Sequence, residues 1–158
     1  LTPSYIEEVN QDKIKNVFHD IEFHDTLKPY VVSTGLKEIF VPVKNKEILN
    51  RLTPNIDQMI KTSNDYQAIG MHAFALDNEV DAYGRNFAPV VGINEESATG
   101  TSNGALACYL HKFYEKKHFY ILRQGYSMHE PSELKAYIDY KSSKITDVWV
   151  GGISKTIT

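Results

Sequence analysis

Residues 85–110 contain the run of side chains in this sequence that best suits a binding site. Thr99, Thr101 and Ser102 surround Gly100 directly before an apolar segment that favours a helix. A glycine lets a ligand approach the backbone without an intervening side chain. The first N–H groups of a helix have no partners inside it, and the positive end of the helix dipole favours an anion. The sequence therefore predicts a site for a carboxylate or phosphate at the amides around Gly100, Thr101 and Ser102.

Two acidic residues lie immediately upstream of this turn. Glu95 and Glu96 place two carboxyl groups near the predicted anion site, where a carboxyl group can donate or accept a proton. The two acids, and the hydroxyls of Thr99, Thr101 and Ser102, also suit ordinary helix capping. Hydroxyls at a helix start bond its free amides, and acids there stabilise the helix by roughly 0.3–1 kcal/mol each. Spacing alone leaves both interpretations open.

The same region resembles the signature of the phenazine-biosynthesis-like (PhzF-like) isomerase and epimerase family, which is close to R-x-F-A-P-x-x-G-I-x-E-D-P-A-T-G-S-A before a central helix. The residues that match are Arg85, Phe87, Ala88, Pro89, Gly92, Ile93, Glu95, Ala98, Thr99 and Gly100. Residues 32–43, 124–132 and 148–152 resemble further parts of the family in the same order. The resemblance thus spans nearly the whole chain.

The sequence departs from the family pattern at four positions near this signature. Glu96 stands where the family usually has aspartate, Ser97 replaces a proline, and Thr101 replaces a serine. Glu130 replaces the arginine that usually precedes the proline at position 131. The extra methylene of Glu96 moves its carboxylate by roughly 1 Å, a displacement that matters in a catalytic site. These departures leave the identity of the substrate open.

The resemblance implies a cofactor-independent isomerase or epimerase that shifts a proton on a small carboxylate-bearing metabolite. It makes Glu96 the expected catalytic residue and Gly100, Thr101 and Ser102 the expected substrate-binding residues. Family members have two similar lobes. The N-terminal lobe carries the proton-moving glutamate in an S-E-T-like motif and a histidine in a G-H segment, and this sequence contains neither motif. We therefore expect a C-terminal lobe, as a fragment or half of a split protein, that is inactive without its N-terminal partner.

Two alternatives to an enzyme lobe stay open. The helix-start site can bind a small anion without any chemistry. Alternatively, two copies of the chain can associate through the face meant for the absent lobe. That exposed face also leads us to expect a homo-oligomer.

Composition narrows the function classes further. The chain has 158 residues, 42% of them hydrophobic, and a formal net charge of −3. We expect one domain, with a linker and short helix over residues 1–27 and a core over residues 28–158. The charge pattern contains no basic stripe, so no nucleic-acid partner is expected. No run approaches the roughly 18 apolar residues of a membrane span, so no membrane partner is expected either.

The cysteine and histidines give no sign of a metal site or a reactive thiol. The lone Cys108 rules out an internal disulfide, fits a reducing cytoplasm and lies in an apolar helix, where a core position is expected. The six histidines form no H-x-x-x-H pair, so no metal is expected. His72 lies in a predicted strand, either facing a cleft or hydrogen-bonded as a structural residue.

Periodicity predicts the elements that position these residues. Residues 5–20 favour a linker plus a short helix, and residues 45–63 favour a helical face interrupted at Pro54, which is expected in the first turn of a second helix. Predicted strands are 30–33, 38–43, 68–76, 80–87, 119–122, 134–140 and 145–150. Residues 104–110 are apolar around the whole helix, as in an enclosed helix. We expect an α+β fold, a mixed and mostly antiparallel sheet curled around a central buried helix. By resemblance, this is one lobe of the diaminopimelate-epimerase fold.

Overall fold

The computed structural model describes residues 2–152. That part of the chain contains nine strands and four α-helices. The strands are β1 (Ser4–Glu8), β2 (Tyr30–Ser33), β3 (Lys37–Pro42), β4 (Met71–Leu76), β5 (Ala82–Ala88), β6 (Ile93–Glu96), β7 (Phe119–Gln124), β8 (Ser132–Lys141) and β9 (Lys144–Gly151). The helices are α1 (Gln11–Val17), α2 (Lys46–Arg51), α3 (Ile56–Asp65) and α4 (Gly100–Phe113).

All nine strands belong to one sheet. Its order is β1-β2-β3-β4-β5-β7-β8-β9, and β6 pairs with β5 outside this path. Only the β3–β4 and β5–β7 pairs are parallel among the described strands, and the remaining pairs are antiparallel. The predicted mixed, mostly antiparallel α+β fold is confirmed.

Helix α4 is enclosed by this sheet. Its residues from Ser102 to His111 are buried, and it contacts strands from both ends of the sheet, namely β2, β3, β8 and β9. On β1, the Tyr5 hydroxyl donates to the Cys108 carbonyl at 2.7 Å, so the edge strand also closes onto the helix. Cys108 lies in this core as predicted, and burial raises the pKa of its thiol to about 12. The predicted central buried helix is confirmed.

The other three helices cover the outer face of the sheet. Successive side chains of β3 point to opposite faces of the sheet. Ile39 and Val41 therefore pack against these three helices, while Phe40 packs against α4. Each of these helices begins after an asparagine whose side chain accepts a hydrogen bond from a first-turn amide. The capping residues are Asn10, Asn45 and Asn55. The two apolar clusters hold the sheet between α4 and the outer helices.

Two local expectations are wrong. Residues 4–8 form strand β1 where a linker or helix is expected, because their backbone pairs with β2 and the Tyr5 ring packs edge-on against Phe113 with centroids 5.8 Å apart. Pro54 precedes the Asn55 cap of α3, so it lies before the helix and not in its first turn. The predicted strands 30–33 and 38–43 pair as the antiparallel hairpin β2–β3, and the predicted strands 134–140 and 145–150 pair as the antiparallel hairpin β8–β9. Among the described residues, no helix is both long and apolar enough to cross a membrane.

Candidate functional site

The predicted anion site lies where β6 leads into α4. Thr99 is the N-cap residue in an extended conformation, with φ −140° and ψ 101°, and no side chain caps this helix. Its hydroxyl instead donates to Glu96 Oε2 at 3.0 Å and accepts from Gln124 Nε2 at 3.1 Å. The expectation that Thr99 caps α4 is therefore wrong. Because no hydroxyl occupies the helix start, its first amides keep their capacity to bind a ligand.

The backbone at the start of α4 is accessible from one side. Gly100 and Thr101 are exposed, and no atom outside the local backbone lies within 4 Å of the place where a Cβ on Gly100 would be. A cavity of about 150 Å³ adjoins Thr101 and Gly104. Ser102 differs, because its side chain is fully buried. The Ser102 hydroxyl is therefore not available to a substrate.

The Ser102 hydroxyl is the centre of a buried polar cluster formed with three adjacent strands. Its Oγ lies 2.8 Å from Glu38 Oε2, 2.7 Å from His72 Nδ1 and 2.9 Å from Asn86 Oδ1. All four residues are at most 3% exposed. His72 is thus a hydrogen-bonded interior residue and does not face a cleft, which resolves the two interpretations left open by its sequence.

Hydrogen counting favours a protonated Glu38. A serine hydroxyl has one hydrogen, so Ser102 cannot donate to both Asn86 Oδ1 and a Glu38 carboxylate. A protonated Glu38 removes the conflict by donating its own hydrogen. Burial raises the pKa of Glu38 to about 7, and the charge of Glu96 acts in the same direction, although the Ser102 hydrogen bond opposes both.

The His72 ring is held as a neutral imidazole. Burial lowers the pKa of His72 to about 4, against a smaller opposing effect of its Asn86 hydrogen bond. Its Nε2 has no hydrogen-bond partner among the described residues. A Cβ on Gly84 would lie 2.4 Å from this nitrogen, so glycine at that position provides the space for the ring.

Two further side chains, on β7 and β8, extend the cluster across the sheet. Gln124 donates to the Glu96 carbonyl at 2.8 Å and accepts from Asn103 Nδ2 at 2.6 Å, while Ser132 donates to the Ser97 carbonyl at 2.9 Å. We call this set the polar layer. It consists of Glu38, His72, Asn86, Ser102, Asn103, Gln124 and Ser132. The polar layer fixes residues 96–99, and with them the start of α4.

Gly125 permits the same segment to pass closely. It has φ +88°, and a Cβ there would lie 2.1 Å from the Glu130 carbonyl oxygen and 2.8 Å from the Ser97 carbonyl oxygen. Both the left-handed conformation and the missing side chain are needed at this position. The Gln124-Gly125 pair that resembles the family thus supports the predicted site directly.

The two adjacent acids do not share one site. Arg85 binds Glu95 bidentately, from Nε at 3.1 Å and Nη2 at 2.8 Å, and its Nη1 donates to the carbonyls of Leu49 and Leu52. Strand alternation turns Glu96 the other way, towards Thr99. Glu95 is therefore a structural partner of Arg85, and the expectation of two carboxyl groups at the anion site is wrong. Glu96 alone lies beside the helix start.

Sequence reasoning missed most of the polar layer. Glu38 is the second residue of β3 and shares a face with Phe40, a pattern that indicates a buried acid. Gln124 matched the family without any role being assigned to it. Within residues 2–152, no group of three or more His, Cys, Asp or Glu residues is placed to hold a metal ion.

Comparison with known proteins identifies the family of this chain. The model of the phenazine biosynthesis-like protein family matches residues 2–158. The chain belongs to this family. An uncharacterized isomerase of Clostridium acetobutylicum is 36% identical over 113 residues, which cover 68% of this chain and 37% of that relative. An uncharacterized isomerase of Deinococcus radiodurans is 27% identical over 134 residues, which cover 82% of this chain and 44% of that relative. The chain therefore spans less than half the length of these curated relatives.

Solved structures of the family share the fold. A PhzF-family phenazine biosynthesis protein of Bacillus anthracis superposes with a TM-score of 0.76 at 23% identity, over 96% of this chain and 58% of that chain. A predicted epimerase of Pseudomonas aeruginosa gives a TM-score of 0.71 at 25% identity, over 96% of this chain and 52% of that chain. The family signature at the site thus occurs on the family fold.

Glu38 should make stability depend on pH. Its raised pKa means that the folded chain binds this proton more tightly than the unfolded chain, so its contribution to stability is lost as pH rises from about 4.5 to about 7. His72 acts oppositely between about 4 and 6.5, because its pKa is lowered. We expect Glu38→Gln to gain stability relative to wild type between pH 5 and pH 8, by up to roughly 3 kcal/mol.

Urea denaturation at several pH values measures this difference, and His72 cancels because both chains contain it. The exposed acid Glu7 on β1 offers a matched control away from any helix start, and Glu7→Gln should change stability by less than about 0.5 kcal/mol at each pH. Parallel curves for Glu38→Gln would show that Glu38 ionises in the folded chain as it does in the unfolded one.

Proposed function

We propose that this chain is the carboxylate-binding half of an isomerase that moves a proton on a small carboxylate-bearing metabolite. The observation that carries the proposal is the uncapped start of α4 beside the oriented carboxylate of Glu96. The names of the Clostridium and Deinococcus relatives, both isomerases, support the reaction class.

The substrate carboxylate is proposed to bind the first amides of α4. Gly100 and Thr101 are exposed there, and Ser102 contributes its backbone N–H while its side chain stays in the polar layer. A carboxylate in this position gains from hydrogen bonds and from the positive end of the helix dipole. The same donors stabilise negative charge that develops on the substrate when a neighbouring carbon loses a proton.

Glu96 is proposed to relay that proton or to orient the substrate. Its carboxylate is half-buried, and the Thr99 hydroxyl holds Oε2 at 3.0 Å. The protonated form of Glu38 assists, because it keeps a second negative charge away from the anion site. The reaction class requires no redox cofactor, since a proton shift leaves the oxidation state of the substrate unchanged overall.

The main acid/base is proposed to come from a second, N-terminal lobe, as in the two-lobe architecture that the resemblance implies. Val90, Val91 and Ile93 are exposed large hydrophobic residues in the connection from β5 into β6, the strand that carries Glu96. This apolar segment offers contact area for such a lobe. This chain alone is then expected to bind without turnover.

A proline at position 100 tests the anion site. Proline is accepted at the first position of a helix, and the extended conformation of Thr99 suits a residue before proline. Gly100→Pro therefore removes one amide donor and keeps the helix, whereas Gly100→Ala keeps the amide and occupies the same open space. In NMR titrations with lactate, we expect amide shifts at residues 100–103 in the wild type and in Gly100→Ala, and binding weakened roughly fivefold or more in Gly100→Pro.

Equal affinities in all three chains would exclude these amides from the site. Lactate binding without any proton exchange after the N-terminal lobe is added would leave anion binding as the function.

A further inference from the structure

A second pocket lies at the other end of α4, beside its last turn. Its volume is about 430 Å³, and it opens between β1, α4 and the turn between β8 and β9. His111, Lys112 and Lys116 line it from the helix and the segment that follows. Tyr5, Lys144 and Ile145 line it from the strands. It lies outside the proposed active site.

The pocket carries positive charge, and one of its ammonium groups, that of Lys112, lies over the Tyr5 ring, 4.7 Å from the ring centroid. Lys112, Lys116 and Lys144 line it, and none of its lining residues is acidic. No ion pair formed within residues 2–152 involves any of these three lysines. The negative end of the α4 dipole, equivalent to roughly half a charge, opposes an anion here, but three ammonium groups outweigh it.

His111 adds a buried hydrogen-bond acceptor. The residue is 3% exposed, and its Nδ1 lies 3.1 Å from the Lys117 carbonyl oxygen, to which a protonated Nδ1 donates. Its Nε2 has no partner among the described residues. Burial lowers the pKa of His111, and the charge of Lys116 acts in the same direction, so the ring is neutral and Nε2 can only accept. Because Nε2 is itself shielded from solvent, the ring lines the pocket as a buried, uncharged group.

These features together indicate a phosphate ester. Lysine ammonium groups bind phosphate as point charges, whereas planar carboxylates suit the fork of arginine, and no arginine lines the pocket. Phosphate monoesters carry roughly −1.5 to −2 charges at neutral pH, which matches several lysines better than one carboxylate does. Tyr5 and Ile145 provide apolar contact for the organic part.

We propose that this pocket binds a small phosphate monoester, with its phosphate among Lys112, Lys116 and Lys144.

NMR titration of the chain with glycerol 3-phosphate at pH 8 and low salt tests this proposal. We expect shifts of the amides of residues 111–116 and 143–145, and no comparable shifts at residues 100–103. Malonate, a dianion without phosphate, should bind several-fold more weakly.

Exposed lysines provide variants that do not disturb the core. The pair Lys116→Ala and Lys144→Ala, made together, should weaken glycerol 3-phosphate binding roughly tenfold or more, because two of the three ammonium groups are lost. Lys135→Ala removes an exposed charge on the outer face of β8 and should change binding less than twofold.

Three results would overturn the proposal. These are unshifted amides around the pocket, malonate binding as tightly as glycerol 3-phosphate, and equal weakening by Lys135→Ala and by the paired lysine variant.

Discussion

Glu96→Gln should slow proton exchange between solvent and substrate by roughly tenfold to ten-thousandfold once the chain is complemented by an N-terminal lobe from a full-length relative. Glutamine keeps the shape of the side chain and can still accept from the Thr99 hydroxyl, which now lies 3.0 Å from Oε2. What is lost is the ability to take up a proton. The measurement is deuterium incorporation into an accepted small carboxylate, followed by NMR in D₂O.

Glu47→Gln is the matched control for this substitution. Glu47 is exposed on α2, one of the helices on the outer face of the sheet, so the change in charge is the same without loss of the proposed proton carrier. We expect exchange within twofold of wild type. An unchanged rate in Glu96→Gln would remove Glu96 from the chemistry and leave it a role in holding Thr99.

Arg85→Ala should destabilise the chain by roughly 3–5 kcal/mol, because it leaves a largely buried carboxylate and two carbonyl groups without their donor. Arg85 is 7% exposed, binds Glu95 bidentately and donates to the last carbonyls around α2. The free energy of unfolding from urea titration gives the loss.

Arg51→Ala is the corresponding exposed control. Arg51 pairs with Asp20 and Glu22 through a side chain that is 52% exposed, so its loss should amount to less than about 1 kcal/mol. A loss for Arg85→Ala no larger than that of Arg51→Ala would mean that the buried pair contributes nothing beyond a surface contact.

Residue patterns within short stretches of the sequence predicted the elements whose formation depends on those stretches alone. The apolar residues around α4 require enclosure, and the alternation on either side of residues 141–144 produces the β8–β9 hairpin. Strand β1 escaped prediction because its stability comes from pairing with β2, about 25 residues away, against a weak helical periodicity of its own.

The candidate site shows the same division. Gly100, Thr101 and Glu96 lie together because they are neighbours in sequence. Glu38 was not predicted because its partner Ser102 is 64 residues away, and only the packing of α4 on β3 brings the two together. The prediction that Thr99 caps α4 was wrong for a similar reason, because Gln124 of β7 donates a hydrogen bond to the Thr99 hydroxyl.

The polar layer also sets the order in which the molecule can fold. Its bond between Ser102 and Glu38, and the bonds that seat α4 from Tyr109 to Lys28 and from Tyr5 to Cys108, close loops of 64, 81 and 103 residues. Each loop must lose chain entropy before its contact can form, which slows folding and makes these contacts late. Until the strands have closed, α4 is an apolar helix without an enclosure, a species prone to aggregation. The proposed anion site therefore needs the complete fold, and ligand binding there would report that the chain has folded.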